Sequence, residues 1–188
     1  MAERRHKTPP RPLDKRKLDE LALRYVSRYA TTRARLRQYL VRKLRERGWA
    51  GEAEAGIDDL VTRLTALGYI DDRAVALSKA SAHQARGLGK RRLARSLRAA
   101  GISDDDSAEA FDQADAAAIE AAVCFARRRR LGPFAAAKAQ LPRDREKAIG
   151  ALIRGGHSID LARRIVGLDP DPEPDVERLC ESLSHTHR

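Results

Sequence analysis

The chain has 188 residues, of which 42% are apolar and 35% are charged, and its formal net charge is +11. This length supports one or two domains with cores of their own, and no apolar run approaches the roughly 20 residues that a membrane helix needs. The first residues contain no apolar secretory segment, and the small number of cysteines favours a reducing compartment, so we expect a cytoplasmic protein. Two cysteines, Cys124 and Cys180, are too few for a disulfide framework or a four-ligand zinc site.

The excess positive charge lies in the N-terminal quarter of the chain. Residues 1–48 contain 16 Lys or Arg and 5 Asp or Glu, whereas the remaining residues contain equal numbers of the two classes. A basic pole of this kind is typical of proteins that bind a polyanion, and it is also compatible with a solvated, highly charged surface.

Apolar residues recur with the helical period along most of the chain, and no stretch alternates with period two over the length of a strand. The sequence therefore predicts an all-α fold. The predicted helices contain, in chain order, positions 18–29, 36–44, 57–64, 74–85, 93–100, 103 onward, 114–125, 148–153 and 161–166.

Polar residues that cap helices precede several of these stripes, and glycines follow them. The predicted N-caps are Thr31 or Thr32, Asp71 or Asp72, Ser103 and Ser158. The predicted helix ends are Gly48, Gly68, Gly101 and the pair Gly155 and Gly156.

A degenerate internal repeat divides the chain. The pattern Leu-x-x-x-Leu-x-x-x-Gly ends at Gly48, recurs at Gly101, and recurs with alanine in its first position at Gly156. The repeat predicts three tandem three-helix modules, at 18–70, 71–114 and 115–168, which form an elongated curved array. Residues 1–17 are predicted to be a disordered basic arm, and residues 169–188 an acidic, proline-rich tail. The last stretch of this tail, at 177–188, is compatible with an added turn of helix or with a frayed end.

No pattern in the chain predicts catalysis, a cofactor or a metal site. A GxxxxGK[ST] loop is absent from the sequence, and GLGKRR at 87–92 follows a predicted helix rather than a strand, so we expect a flexible turn there. The aspartate groups at 58–59, 71–72 and 104–106 each lie where a helix begins, where capping and the helix dipole explain them. We therefore expect a protein that is not an enzyme.

Each module contains a basic cluster near its second helix, and these clusters are the candidate partner-binding residues. Stacked modules would align such cations along one side, where they could bind phosphates or acidic side chains. The candidates are Arg35, Arg42, Arg86, Lys90, Arg91, Arg127, Arg128, Arg129 and Arg130.

Three segments carry a resemblance to a known family. They are TTRARLRQYLVRKLRERGW from residue 31, LVTRLTALGYIDDRAVA from residue 60, and GLGKRRLARSLRAAGIS from residue 87. Together they resemble the RecX family of recombinase regulators. The resemblance is strongest from Tyr25 to Ser103, and LGYIDD at 67–72 is its most specific part. The third module matches more loosely, through RRRRLGPF and IGALIRGGHSIDLARRIVG.

The resemblance implies a modular helical fold and a function. It implies a protein that binds RecA and lies in the groove of the RecA–single-strand DNA filament. There it would inhibit filament extension, ATP hydrolysis, strand exchange and cleavage of the SOS repressor. We expect a monomer whose direct binding to DNA is weak.

Two other functions remain open at this stage. A helix-turn-helix-like protein could insert the basic helix at 32–47 into a DNA groove, although arginines surround that helix and few aromatic residues are present for stacking. A metal-dependent nuclease could use the paired aspartates. Dependence of binding on the recombinase would distinguish the first function from the second, and incubation of DNA with the protein and Mg²⁺ would test the third.

Overall fold

The computed structural model describes residues 11–137 and 141–185. These residues contain ten α-helices, and their backbone forms only one isolated β-bridge, between Leu13 and Trp49. The all-α prediction is confirmed. The helices are α1 (Lys15–Arg28), α2 (Arg33–Arg47), α3 (Ile57–Ala66), α4 (Asp72–Ala85), α5 (Lys90–Ala99), α6 (Asp104–Ala116), α7 (Ala118–Arg129), α8 (Pro142–Gly155), α9 (Ile159–Gly167) and α10 (Val176–His185).

The helix boundaries follow the capping residues that the sequence supplies. The side chains of Thr32, Ser103 and Ser158 each accept a hydrogen bond from the backbone N–H three residues later. The predicted closing glycines at 48, 68, 101 and 156 all have positive φ, between 69° and 101°. The predicted caps and helix ends are confirmed at these positions.

The chain divides into two compact units, residues 1–75 (unit 1) and 76–188 (unit 2). In unit 1, α1, α2 and α3 pack around a core of leucines with Val61 and Ile70. The core residues are Leu13, Leu18, Ala22, Leu36, Leu40, Leu60, Val61, Leu64 and Ile70.

The segment before α1 belongs to unit 1, although the sequence analysis assigns residues 1–17 to a disordered arm. Leu13 is fully buried, its N–H donates to the carbonyl of Gly48 at 2.9 Å, and its carbonyl accepts from Ala50. A single leucine among prolines and basic residues gives no periodic signal, so its burial is not visible in the sequence. Residues 1–10 of the predicted arm lie outside the described residues.

The two aspartates at the start of α4 have different roles. Asp71 is an N-cap, because its carboxylate accepts from the N–H of Ala74 at 2.8 Å. The side chain of Asp72 is only 2% exposed, and it accepts from the N–H and the Nε of Arg33 at 3.0 and 3.1 Å. Asp72 therefore joins the start of α4 to the start of α2.

We expect Asp72→Ala to lower the free energy of unfolding of unit 1 by about 2 kcal/mol, since two charge-assisted hydrogen bonds and a buried acceptor are lost. The neighbouring Asp71→Ala removes only a cap and should cost about 1 kcal/mol. Urea unfolding followed by the fluorescence of Trp49, the single tryptophan of the chain, measures both. Equal losses for the two variants would contradict the assigned role of Asp72.

Unit 2 is built around α7, whose residues Ala121, Ala122, Val123, Phe125 and Ala126 are buried. Helices α8, α9 and α10 pack around α7. The other members of this core are Leu152, Leu161, Ala162, Ile165, Val166 and Leu183.

The end of the chain contributes a full helix to unit 2, where the sequence leaves open a turn of helix or a frayed end of the acidic tail. Asp175 caps α10 by accepting from the N–H of Arg178, and Leu183 of α10 is 3% exposed against α7. The preceding segment is held by a bond from the N–H of Asp171 to the carbonyl of Pro133. Residues 186–188 lie outside the described residues.

The turn between α4 and α5 packs closely against the turn between α8 and α9. The N–H of Gly89 donates to the carbonyl of Gly155 at 3.0 Å, and the N–H of Arg91 donates to that of Gly156 at 3.2 Å. The Nε2 of buried His157 donates to the carbonyl of Gly87 at 3.0 Å, and burial lowers the pKa of this imidazole. The predicted flexible turn at 87–92 is thus a packed turn at 87–89 followed by the first residues of α5, and its glycines let two backbones meet.

The three-module division stays a prediction. Unit 2 contains both predicted modules, 71–114 and 115–168, apart from residues 71–75, which belong to unit 1. Within residues 11–137 and 141–185, none of the helices is both long enough and apolar enough to cross a membrane.

Candidate anion-binding surfaces

Both candidate residues of unit 1 lie exposed on α2. Arg35 forms no ion pair within the described ranges, whereas the Nε of Arg42 lies 3.6 Å from Glu46 one turn later. The guanidinium carbon of Arg42 also lies 5.7 Å from the ring centroid of Tyr39, within the range of a cation–π contact. Arg42 therefore keeps its charge at the surface beside an aromatic ring.

Arg42 belongs to a group of three arginines and three tyrosines that line an open depression of about 430 Å³ between α1 and α2. We call this group the tyrosine–arginine cluster. The rings of Tyr25 and Tyr39 stack with centroids 4.3 Å apart, and Tyr25 contacts Tyr29 at 5.4 Å. The members of the cluster are Arg24, Tyr25, Arg28, Tyr29, Tyr39 and Arg42.

The candidate residues Lys90, Arg86 and Arg91 of unit 2 differ in whether an acidic side chain already pairs with them. Lys90 forms an ion pair with Asp115 of α6, and its ammonium lies 5.4 Å from the ring centroid of Phe111. Arg86 and Arg91 are exposed and form no ion pair with any described residue. Arg86 and Arg91 thus have more charge available for a partner than Lys90 has.

The run of four arginines forms the end of α7. Arg127, Arg128 and Arg129 occupy the last turn, where cations stabilise the helix dipole, and Arg130 closes the helix with φ of 54°. All four side chains are exposed. Arginines that are one or two positions apart in this run do not share a helix face, so the run does not form one continuous surface along α7.

Arg129 is the member of this run that lines a pocket. Arg92 of α5, Arg129 of α7 and Arg154 of α8 surround an open cavity of about 310 Å³, which we call the three-arginine pocket. The floor is Phe125, which is 8% exposed, and the Arg129 guanidinium carbon lies 5.8 Å from its ring centroid. Arg92 also donates to the carbonyl of Arg154 at 3.4 Å.

The lining of the three-arginine pocket contains positively charged side chains and no negatively charged ones. Its other lining residues are Leu88, Ala151 and Gly155, so no carboxylate contributes to its wall, and none of its arginines pairs with an acid in the described part of the chain. Arginine stays protonated in proteins and binds carboxylates and phosphates with two parallel hydrogen bonds. The pocket is therefore suited to an anion.

Sequence reasoning found Arg129 but did not select Arg92 and Arg154 for this site. Each of them lies in a basic cluster of the repeat, yet three helices from distant parts of the chain bring them to one pocket. The spacing of residues within each helix does not indicate that Arg92, Arg129 and Arg154 lie in the same pocket. The remaining candidates Arg86, Arg91, Arg127, Arg128 and Arg130 do not line the pocket.

The aspartate groups lie at the starts of helices, and Asp58 also has a structural partner. Asp58 accepts two hydrogen bonds from Arg37, which lower the pKa of the carboxyl and raise that of the guanidinium. Asp104, Asp105 and Asp106 lie in the first turn of α6. Within 11–137 and 141–185, no three His, Cys, Asp or Glu side chains gather as metal ligands would.

Comparisons with known proteins identify relatives of this chain. No family model matches it. The chain is 32% identical over 168 residues to the regulatory protein RecX of Myxococcus xanthus, covering 86% of this chain and 90% of that one. It is 38% identical over 105 residues to that of Mycobacteroides abscessus, covering 55% of this chain and 49% of the relative.

A solved structure shares the fold. The crystal structure of RecX from Lactobacillus salivarius matches with a TM-score of 0.63 at 22% identity, covering 81% of this chain and 94% of the other. The similarity of the helical architecture agrees with the near full-length match to the Myxococcus protein. The chain belongs to the RecX family of regulatory proteins.

Proposed function

We propose that this protein regulates RecA by binding RecA and the groove of the RecA–single-strand DNA filament. Binding there limits filament extension, ATP hydrolysis and strand exchange. It also limits the co-protease activity of RecA in the SOS response. The proposed contacts are Arg35, Arg42, Arg86, Lys90, Arg91, Arg92, Arg127, Arg128, Arg129, Arg130 and Arg154.

The observation that carries the proposal is the set of exposed arginines on unit 2 that have no acidic partner among the described residues. In a member of the RecX family, such arginines are suited to acidic side chains of RecA and to phosphates of its DNA. Lys90 is the weakest of the proposed contacts, since Asp115 already neutralises part of its charge.

The proposed mechanism is a distributed one. Once one contact has formed, it raises the effective concentration of the other contacts on the same chain at the filament. Several contacts of moderate strength can therefore bind a filament without a deep pocket. The sequence contains no GxxxxGK[ST] loop, so the protein would change ATP hydrolysis by stabilising one arrangement of the RecA protomers. Proton or group transfer by this chain is not part of the mechanism.

The test is the rate of ATP hydrolysis by the cognate RecA on single-stranded DNA, with the full-length protein titrated in at constant salt. We expect inhibition at less than one protein per RecA protomer, because one bound molecule blocks extension for many protomers. An absence of inhibition, together with salt-sensitive binding to naked DNA, would contradict the proposal and favour the helix-turn-helix-like function.

A further inference from the structure

The tyrosine–arginine cluster gathers an unusual share of the aromatic residues. The chain has only four tyrosines, and three of them line this one depression on unit 1. Tyr29 is 52% exposed, so this residue contributes little to the core. A small number of aromatic residues argues against stacking on a nucleic acid when the residues are scattered over the protein. Three of the four tyrosines lie together in this depression, so the argument does not apply to this surface.

The cations of the cluster are available to a partner. Arg24 and Arg28 form no ion pair with a described residue, and Arg42 has only the 3.6 Å contact with Glu46. The guanidinium of Arg28 lies 5.7 Å from the centroid of Tyr29, as that of Arg42 does from Tyr39. Two of the three arginines in the cluster thus lie within about 6 Å of a tyrosine ring centroid.

We propose that the tyrosine–arginine cluster binds an unpaired nucleotide of a single-stranded nucleic acid. The base stacks on the exposed ring of Tyr29, and the flanking phosphates bind Arg24, Arg28 and Arg42. Sites for single strands combine these same elements, namely aromatic rings for bases and a basic groove for the backbone. An acidic peptide would satisfy the arginines but would leave the rings without a partner.

A single strand fits the cluster better than a duplex does. The bases of a duplex are already stacked and paired, so their faces are not accessible to a tyrosine at the protein surface. The inference deepens the proposed function, since it identifies the DNA strand as the partner of the surface around Arg42. It does not require RecA for its test.

The experiment measures binding of the full-length protein to fluorescein-labelled oligothymidylate and to an abasic strand of equal length, without RecA, by anisotropy. We expect the wild-type protein to bind oligothymidylate more tightly than the abasic strand. Tyr29→Ala should weaken binding to oligothymidylate by about 5- to 150-fold, the range for loss of one base–aromatic stack. Binding to the abasic strand should not change.

Tyr69→Ala is the matched control, because Tyr69 is 51% exposed in unit 1 but does not line the depression. This variant should bind both strands as the wild type does, and Tyr29→Phe, which keeps the ring, should retain most of the affinity. Far-ultraviolet circular dichroism checks that each variant is folded.

Three results would overturn the inference. The first is unchanged binding of oligothymidylate by Tyr29→Ala, and the second is an equal loss on both strands. The third is Tyr29-dependent binding of poly-glutamate with no binding of oligothymidylate, which would assign the cluster to an acidic protein. Failure of the ATP hydrolysis test with RecA would leave these measurements unaffected, so the two proposals can fail separately.

Discussion

Replacing Arg92, Arg129 and Arg154 together with alanine is expected to raise the protein concentration needed for half-inhibition of RecA ATP hydrolysis at least tenfold. The three side chains line one pocket that has no carboxylate in its wall. A hydrogen bond between charged groups contributes about 1.5–3 kcal/mol, so the loss of one such contact already accounts for a tenfold change. The titration on single-stranded DNA measures the effect.

A matched variant separates the pocket from net charge. Arg95 and Arg98 of α5 and Arg143 of α8 are exposed and lie outside the pocket lining, and their replacement by alanine removes the same three charges. We expect this control to inhibit within about threefold of the wild type, because surface charge alone acts through screened, long-range attraction. If both triple variants lose inhibition equally, the pocket has no specific role and net charge alone explains the binding.

The secondary structure could be predicted because it depends on local chemistry. Thr32, Ser103 and Ser158 cap helices through their own neighbours, and the closing glycines adopt positive φ where a helix must end. Three local segments, of which LGYIDD at 67–72 is the most specific, carry the family resemblance, which the comparison with the Myxococcus protein confirms. Capping is visible within one turn of chain, and periodicity within a few turns.

The candidate surfaces could be predicted only in part, because they depend on contacts between distant segments. Arg92 and Arg154 are 62 residues apart, and only the packing of α5, α7 and α8 brings them to one pocket. Tyr25 and Tyr39 follow the apolar stripes of two helices, and their stacking depends on how α1 and α2 pack. The pairing of Lys90 with Asp115 is equally non-local.

Gly89 shows how one non-local contact supports a candidate site. The sequence suggests a flexible turn at GLGKRR, yet Gly89 lies in van der Waals contact with the backbone of the turn after α8. These two turns lie next to Arg92 and Arg154. The position of the three-arginine pocket therefore depends on a glycine that carries no charge and does not line the pocket.

Gly89→Ala is expected to lower the free energy of unfolding of unit 2 by about 3 kcal/mol, the upper part of the usual range for overpacking. A Cβ at this position would lie 2.5 Å from the carbonyl carbon of Gly156 and 2.7 Å from the amide nitrogen of His157. Both atoms are backbone, so a turn must move and the bonds to Gly155 and Gly156 weaken. Urea unfolding followed by far-ultraviolet circular dichroism measures the loss.

Gly150→Ala in the same unit is the control with the opposite sign. Gly150 lies within α8, and a Cβ there would meet only the Nη1 of Arg154 at 3.2 Å, the end of a flexible side chain. Alanine is favoured over glycine in a helix by about 1 kcal/mol, so this variant should be more stable than the wild type. If Gly89→Ala is as stable as Gly150→Ala, the two turns are free to separate, and the close backbone contact does not hold the pocket in place.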